Sequence, residues 1–401
     1  MGRTGDGCAG ARPPGTRAHP GSHGGGPDGE NRKAAMYTKA FAPEYQGALT
    51  ALSVNSSLAD VLAKGTEQLR AAERSGSAGD VARAGLAVAE ANRRLGRIQE
   101  ADRAWKASYR SARTATDESA MAWALWSGGT LARQRGRLPL ARRLLSHAAE
   151  LGDRGGDVLA RGYSLAGMAE TGRIEGDYAS VHRLHEQLLA EARERGEARH
   201  TVWALEGIAQ MHRNTGSYDT ALAMFEEAAG IARGADDQRG LAWALRGIAD
   251  VLSVRGEAPE RALELLSEGE AICRRMKLTS ALAYNHKMRA NVFFRSGRYR
   301  QAREVYEQAL AEFEGMNEPR GAALSRLGLL KSLARLGRCP AQTAADLHRL
   351  RRTLGGTGLR HTRDMVDKAL AELPGAPEPV TASAAPEERY ERADATSGAG
   401  R

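Results

Sequence analysis

The chain has 401 residues and a formal charge of +9, from 58 Lys+Arg against 49 Asp+Glu. Apolar residues make up 42% but aromatics only 5%, so a core has to be packed largely with small aliphatic side chains. The basic residues alternate with acidic ones, as in EEAAGIARGADDQR, and no block of five or six like charges occurs, which argues against nucleic acid as the partner even though a groove can also carry positive charge.

Cys8, Cys273 and Cys339 are odd in number and form no CxxC pair. A disulfide framework or a zinc finger is therefore not expected, and a reducing compartment fits. No window approaches the roughly 18 consecutive apolar residues of a membrane span, and the N-terminus lacks an apolar signal core. The expectation is a cytoplasmic protein with no membrane partner.

In chain order, residues 1–40 are Gly- and Pro-rich with almost nothing to bury, and are expected to be a disordered tail. Met36 is a second candidate start of translation. Residues 41–77 read as N-terminal capping helices, with Ser57 and Asp60 forming a capping box before LADVLAKGTEQLRAAERSG. From there a turn glycine recurs at Gly96, Gly136, Gly176, Gly216, Gly256, Gly297 and Gly337, in steps of 40 residues with a single 41. GEAPERA accounts for the exception, carrying one residue more between Gly256 and Ala262 than GSYDTA carries between Gly216 and Ala221.

A small residue follows the glycine by five positions at Ala101, Ala141, Ala221 and Ala302, with Val181 substituting. A glycine can stop one helix in the left-handed conformation, and the small residue lets the next helix pack close. The first helix of each unit carries a stripe such as Leu205, Ile208 and Ala209, and the second a stripe such as Ala221, Phe225, Ala228 and Ala232. Neither stripe can be hidden within one helix pair, so the units must stack as an all-α solenoid of about seven repeats over residues 78–355. The last repeat is degraded around Cys339 and Pro340, residues 356–374 read as a C-terminal capping helix, and 375–401 as a second disordered tail.

The turn motif resembles the tetratricopeptide repeat family: Gly216, Tyr218, Ala221, Phe225 and Ala228, and again Gly297, Tyr299, Ala302, Tyr306 and Ala309. The repeat is longer than that family's usual unit of about 34 residues, and is similar to the long-repeat arrays of kinesin light chains and bacterial signal-responsive regulators. The resemblance implies a right-handed solenoid with a concave groove, lined by the first helix of each repeat, that holds a protein or peptide partner. Lys287 and Asn291 match two positions of the family's carboxylate-binding groove, but Gly328 stands where an Asn is wanted, so that specificity is not carried over.

Two columns are candidates for the groove. Trp123, Tyr163, Trp203, Trp243 and Tyr284 each precede their turn glycine by 13 residues and lie about 200° from the core stripe. Seven residues on, nearly the same face carries Thr130, Glu170, Gln210, Asp250 and Asn291, while Gly167, Gly207 and Gly247 four residues on leave space beside the ring. The alternative is that each ring packs against the neighbouring repeat. The second column, Arg133, Arg173 and Arg213, with Arg93 before them, fits either an acidic ligand or the ordinary preference for cations at helix C-termini.

His182 and His185 with Glu186 lack converging ligands and read as a solvated helix face, so no metal is expected. Cys273 and Cys339 read as buried or partly buried thiols. LGGTG at Leu354–Gly358 is a connector, and no catalytic motif or cofactor signature stands out.

The sequence thus supports a non-enzymatic scaffold or adaptor that binds a protein or peptide in its groove. Two alternatives stay open: a regulatory solenoid that senses a small molecule or peptide, and an enzyme with a pocket in the groove. A deep cluster of buried charges between Trp123 and Tyr284 would favour the enzyme, and an open, evenly polar groove would disfavour it. A homodimer also stays open.

Overall fold

The computed structural model describes residues 55–373, and within them the chain is a right-handed α-solenoid of 16 helices without a strand. The expected tails at 1–40 and 375–401, and residues 41–54 of the N-terminal capping segment, lie outside the described residues. Helix α1 (Leu58–Ser75) precedes seven pairs: α2 (Ala78–Arg94) with α3 (Ile98–Thr114), α4 (Glu118–Gln134) with α5 (Leu138–Arg154), α6 (Val158–Glu175) with α7 (Tyr178–Glu194), and α8 (Ala198–Asn214) with α9 (Tyr218–Gly234). The array continues with α10 (Gln238–Arg255) and α11 (Pro259–Arg275), α12 (Thr279–Arg295) and α13 (Tyr299–Gly315), and α14 (Pro319–Arg335) and α15 (Pro340–Thr353). Helix α16 (Arg360–Ala371) follows the last pair.

Most of these helices are 17 residues long, because a left-handed residue stops the chain about every 20 residues. All seven turn glycines have positive φ, from +72° at Gly136 to +93° at Gly337. The connections between repeats use the same device without requiring glycine: Thr116, Asp236, Lys277 and Asn317 take φ of +50° to +55°, and Gly156 and Gly196 fill the remaining places. The longer step after Gly256 arises where Ala258, at φ +42°, precedes Pro259 at the first position of α11. Proline is tolerated there because the amide it lacks would have had no intrahelical partner.

A second periodic device went unread in the sequence. Asp117, Asp157, Glu197, Asp237 and Glu318 each cap the first helix of a repeat, their carboxylates accepting from the backbone N–H three residues on. Ser57 does the same for α1, as its capping box implies.

The packing inside the array corrects one expectation. Gly167, Gly207 and Gly247 do not make room for the ring four residues earlier in their own helix. They form notches for a bulky side chain on the preceding second helix: a methyl group on Gly167 would lie 2.8 Å from Leu145, while one on Gly207 or Gly247 would collide with His185 or Phe225. Gly328 receives Tyr306 in the same manner, which is why no asparagine stands there. His185 therefore does not lie on a solvated face. It is fully buried, and burial pushes its imidazole down to about 4. Cys273 is buried, as expected, whereas Cys339 is exposed at the start of α15 because the degraded last turn offers nothing to cover it.

The superhelix winds far enough for its first repeats to rest on its last ones. Leu58, at the start of α1, joins the core of the fourth and fifth repeats, and its N–H points to Met276 O at 3.4 Å. Asn55 bridges the next connector, donating to Asp236 O at 2.9 Å and accepting from Gln238 N at 3.3 Å. Further along the same seam, Gly96 sits against Met316 and Gly136 against Pro319, while Leu138 and Ile174 share a core cluster with Leu327 and Leu359. Tyr178 Oη and His361 Nδ1, 3.1 Å apart, continue the line.

Replacing Gly247 by alanine overpacks a filled notch and is expected to cost about 1–3 kcal/mol. Gly216→Ala meets no neighbour within 4 Å and pays only for its left-handed backbone, about 1–2 kcal/mol. Denaturant unfolding checks both, with the distinguishing result that Gly216→Asn recovers most of the loss whereas Gly247→Asn deepens it.

Candidate functional site

Winding forms a central, half-open cavity of about 470 Å³, lined mainly by the first helices of the repeats. That helix exposes one face to it. Counting from the aromatic position, residues three, seven and ten later lie within about 80° of it on a helix of 3.6 residues per turn. The aromatic, charged and arginine columns are therefore parts of one wall.

The structure divides the aromatic column. Tyr163, Trp203, Trp243 and Tyr284 reach the cavity, but Trp123 does not: it is 1% exposed, packs edge-on against Trp126 and donates from Nε1 to Asp157 Oδ2 at 2.8 Å. Trp126, one turn later, takes its place on the wall. The expectation of a semi-exposed ring fails at Trp123 because its partner, the capping carboxylate of the next repeat, draws the indole into the interface. Tyr163 is also buried for most of its surface, 3% exposed, and packs edge-on against His200 and Trp203, with ring centroids 4.4 Å and 5.5 Å away. Tyr284 donates to Glu318 Oε2 at 3.1 Å, again the cap of the following repeat. Trp203 and Trp243 are half-buried, 6.4 Å apart, and keep their edges on the cavity.

The arginine column faces the cavity at all four positions, Arg93, Arg133, Arg173 and Arg213. Each pairs with a carboxylate of the polar column or its equivalent. Arg173 holds Glu170 at 2.7 Å, Arg133 approaches the same carboxylate at 3.8 Å, Arg213 binds Asp250 at 2.9 Å, and Arg93 binds Glu90 at 2.7 Å. Burial works against the charge of Glu170, but Arg173 and Arg133 outweigh it and hold the carboxyl far below its usual range. Asp250, 5% exposed, is held ionised by Arg213 and by Arg295 at 3.1 Å. Gln210 and Asn291 also line the wall, and Asn291 Oδ1 accepts from Tyr306 Oη at 2.6 Å. Thr130 completes the polar column on the wall.

Sequence reasoning missed a third column that the spacing would have revealed: Glu206, Arg246 and Lys287, each three residues after its aromatic. Burial pushes the Glu206 carboxyl well up, with Arg246 opposing. Lys287 is depressed to about 7 by burial; Asp250 opposes the shift, and Arg320, Arg295 and Arg213 reinforce it. Arg320 and His361 come from the other end of the array and have no local sequence signal, since only superhelical closure brings them here. In all, ten arginines and Lys287 line the cavity against Glu170, Glu206, Asp250 and Glu318.

This wall can hold apolar side chains against indole edges and anionic groups against guanidinium forks. Among the described residues, no group of His, Cys, Asp or Glu is arranged to hold a metal, and no helix is long and apolar enough to cross a membrane.

The tetratricopeptide repeat model matches residues 200–275, the fourth and fifth repeats. No curated protein sequence matches the chain. Among solved structures, a Rap protein complexed with competence and sporulation factor superimposes with a TM-score of 0.51 at 14% identity, over 78% of this chain and 96% of that one. BtubC from P. vanneervenii gives a TM-score of 0.39 at 17% identity, over 63% and 96% of the two chains. Yeast Tom70 gives 0.42 at 12%, over 85% and 70%. At such identities the likeness concerns the fold alone.

The Lys287 shift has a stability consequence of definite sign. An unfolded lysine holds its proton up to its ordinary value of 10.5, whereas this one releases it near 7. Between those values the unfolded chain binds more protons, so stability rises with pH through that window. Lys287→Met is therefore expected to be more stable than the parent below pH 7, with the gap closing as pH approaches 10; thermal unfolding across that range checks it.

Proposed function

We propose that this tetratricopeptide-repeat chain binds a short segment of a protein or peptide inside its superhelix and acts by that binding rather than by catalysis. The observation carrying the reading is the single wall on which aromatic rings and charged groups alternate at a 40-residue spacing around one half-open cavity. Trp203 and Trp243 supply apolar anchors, Gln210 and Asn291 hydrogen bonds, and the arginine column orientation. A cavity of about 470 Å³ takes a few residues of chain rather than a folded domain, so the ligand enters as a peptide or an extended terminus. The reducing setting suggested by three scattered cysteines supports a cytoplasmic ligand.

A Rap protein structure that superimposes with a TM-score of 0.51 is complexed with competence and sporulation factor. Its likeness in fold makes a regulatory version of the same reading attractive, in which occupancy of the cavity alters a second interaction. The enzyme alternative draws on one observation, the buried cluster of charges that contains Glu206 with its raised carboxyl. A protonated carboxylic acid can donate a hydrogen bond to a ligand without any reaction, and no nucleophile or second acid–base group is paired with it among the described residues, so binding accounts for Glu206 more simply.

Trp203→Ala and Trp243→Ala are each expected to weaken capture of ligand by about 1–3 kcal/mol, the range of buried aromatic anchors, while preserving helicity. Passing a random hexapeptide pool over the immobilised full chain, and sequencing what is retained, measures this directly. If both variants retain the same peptides as the parent, or if both lose their circular-dichroism signal, the rings are not ligand anchors and the reading falls.

A further inference from the structure

The seam that closes the superhelix carries like charge on both sides. From the first repeats come Arg133 and Arg173, at the ends of α4 and α6. From the last come Lys287 on α12 and Arg320 at the second position of α14, with the His361 imidazole, at the second position of α16, lining the same end. These groups line the same cavity. Arg133 is pushed down to about 10 by burial, with Glu170 opposing and Arg93, Arg173 and Arg320 adding repulsion. Burial also lowers His361, and Arg320 and Arg173 add to it.

Compensation is scarce and already committed. Arg133 and Arg173 share the single carboxylate of Glu170. Asp250 is shared between Arg213 and Arg295, and Lys287 makes no hydrogen bond or salt bridge with another described residue. Glu318 is the carboxylate beside Arg320: it accepts from the Gly321 N–H and Tyr284 Oη, and burial raises its carboxyl while Arg320 opposes the shift. The contacts that hold the seam are meanwhile mainly apolar: Leu138 and Ile174 in one core cluster with Leu327 and Leu359, Gly136 with Pro319 and Gly96 with Met316, with the Tyr178–His361 pair beside them. Closure therefore brings more cations than carboxylates together around the cavity, ten arginines and Lys287 against Glu170, Glu206, Asp250 and Glu318.

We propose that an acidic peptide segment with two or more carboxylates binds across this seam, bridging Arg133 and Arg173 of the first repeats to Arg320 and Lys287 of the last, and so tightens the superhelix. The inference rests on the reading of the cavity as a peptide site, and adds the ligand's charge and its mechanical effect. Like-charge repulsion works against closure, and an anion lying between the two sides reverses the sign of that interaction. Binding and closure are then linked, since a ligand that contacts both sides has its full set of contacts only in the closed form.

The test uses the full chain with three probes: fluorescein-labelled hexaglutamate, fluorescein-labelled hexaglutamine and inorganic pyrophosphate. Hexaglutamate is expected to bind at least tenfold more tightly than hexaglutamine, more weakly as salt rises, and to lower the radius of gyration measured by small-angle scattering. Arg133→Gln and Arg320→Gln should each reduce hexaglutamate affinity about tenfold and leave hexaglutamine unchanged. Arg133→Gln should also keep or raise the melting temperature of the ligand-free protein, which a merely structural arginine would not do.

Equal binding of the two peptides, with both lost on Trp203→Ala, overturns the seam site and leaves the peptide cavity standing. Failure of either peptide and of the random pool to bind removes the cavity reading and this inference with it. Compaction by pyrophosphate without hexaglutamate binding overturns the acidic peptide in favour of a small polyphosphate.

Discussion

The whole array depends on a left-handed residue stopping the helix about every 20 positions. Because each helix ends after nearly the same length, every repeat presents the same side chains at the same height, and a column in the sequence becomes a column in space. Gly96, Gly136 and their five successors supply one set of stops, and the less conspicuous Thr116, Asp236, Lys277 and Asn317 supply the other. Without both sets the bulky residues Leu145, His185, Phe225 and Tyr306 would not meet the glycine notches of the following helix.

That regularity also sets the chemistry of the interior. A residue placed on the inward face of one first helix is repeated 40 positions later, so cations accumulate along the wall as Arg93, Arg133, Arg173 and Arg213, and carboxylates are interleaved as Glu170 and Asp250. Burial makes each pairing consequential, since a charge removed from water must be compensated locally or shift its protonation. Arg173 with Glu170 shows compensation, and Lys287 shows the shift. The aromatic rings serve two ends in the same space. Their polar tips staple adjacent repeats at Trp123 and Tyr284, while the half-buried indoles of Trp203 and Trp243 remain available on the cavity wall.

Much of this was legible from the chain alone. The repeat period, the turn glycines, the stacking stripes and the arginine column follow from helical periodicity and the conformational freedom of glycine, which are local properties. The third column, Glu206, Arg246 and Lys287, was equally local, and its changing charge sign hid it from a search for like residues. Misplacing Trp123 and His185 has a different cause. Helical phase gives the side of its own helix on which a residue lies, and says nothing about which neighbour covers that side, so Asp157 and Gly207 on adjacent repeats decided the burial of each.

The sequence by itself determined an all-α array of long tetratricopeptide-type repeats and two of the columns on its concave side, because equal helices and repeated columns leave stacking as the one way to bury the apolar stripes. Only the tertiary structure decided that the ends of the array meet, so that the concave side becomes one half-open cavity. Small rotations at each repeat interface add up over seven pairs until Gly136 meets Pro319 and Tyr178 meets His361. A sum of that kind has no signature at any one position, and it is what gathers Arg133, Arg173, Lys287 and Arg320 around the same space.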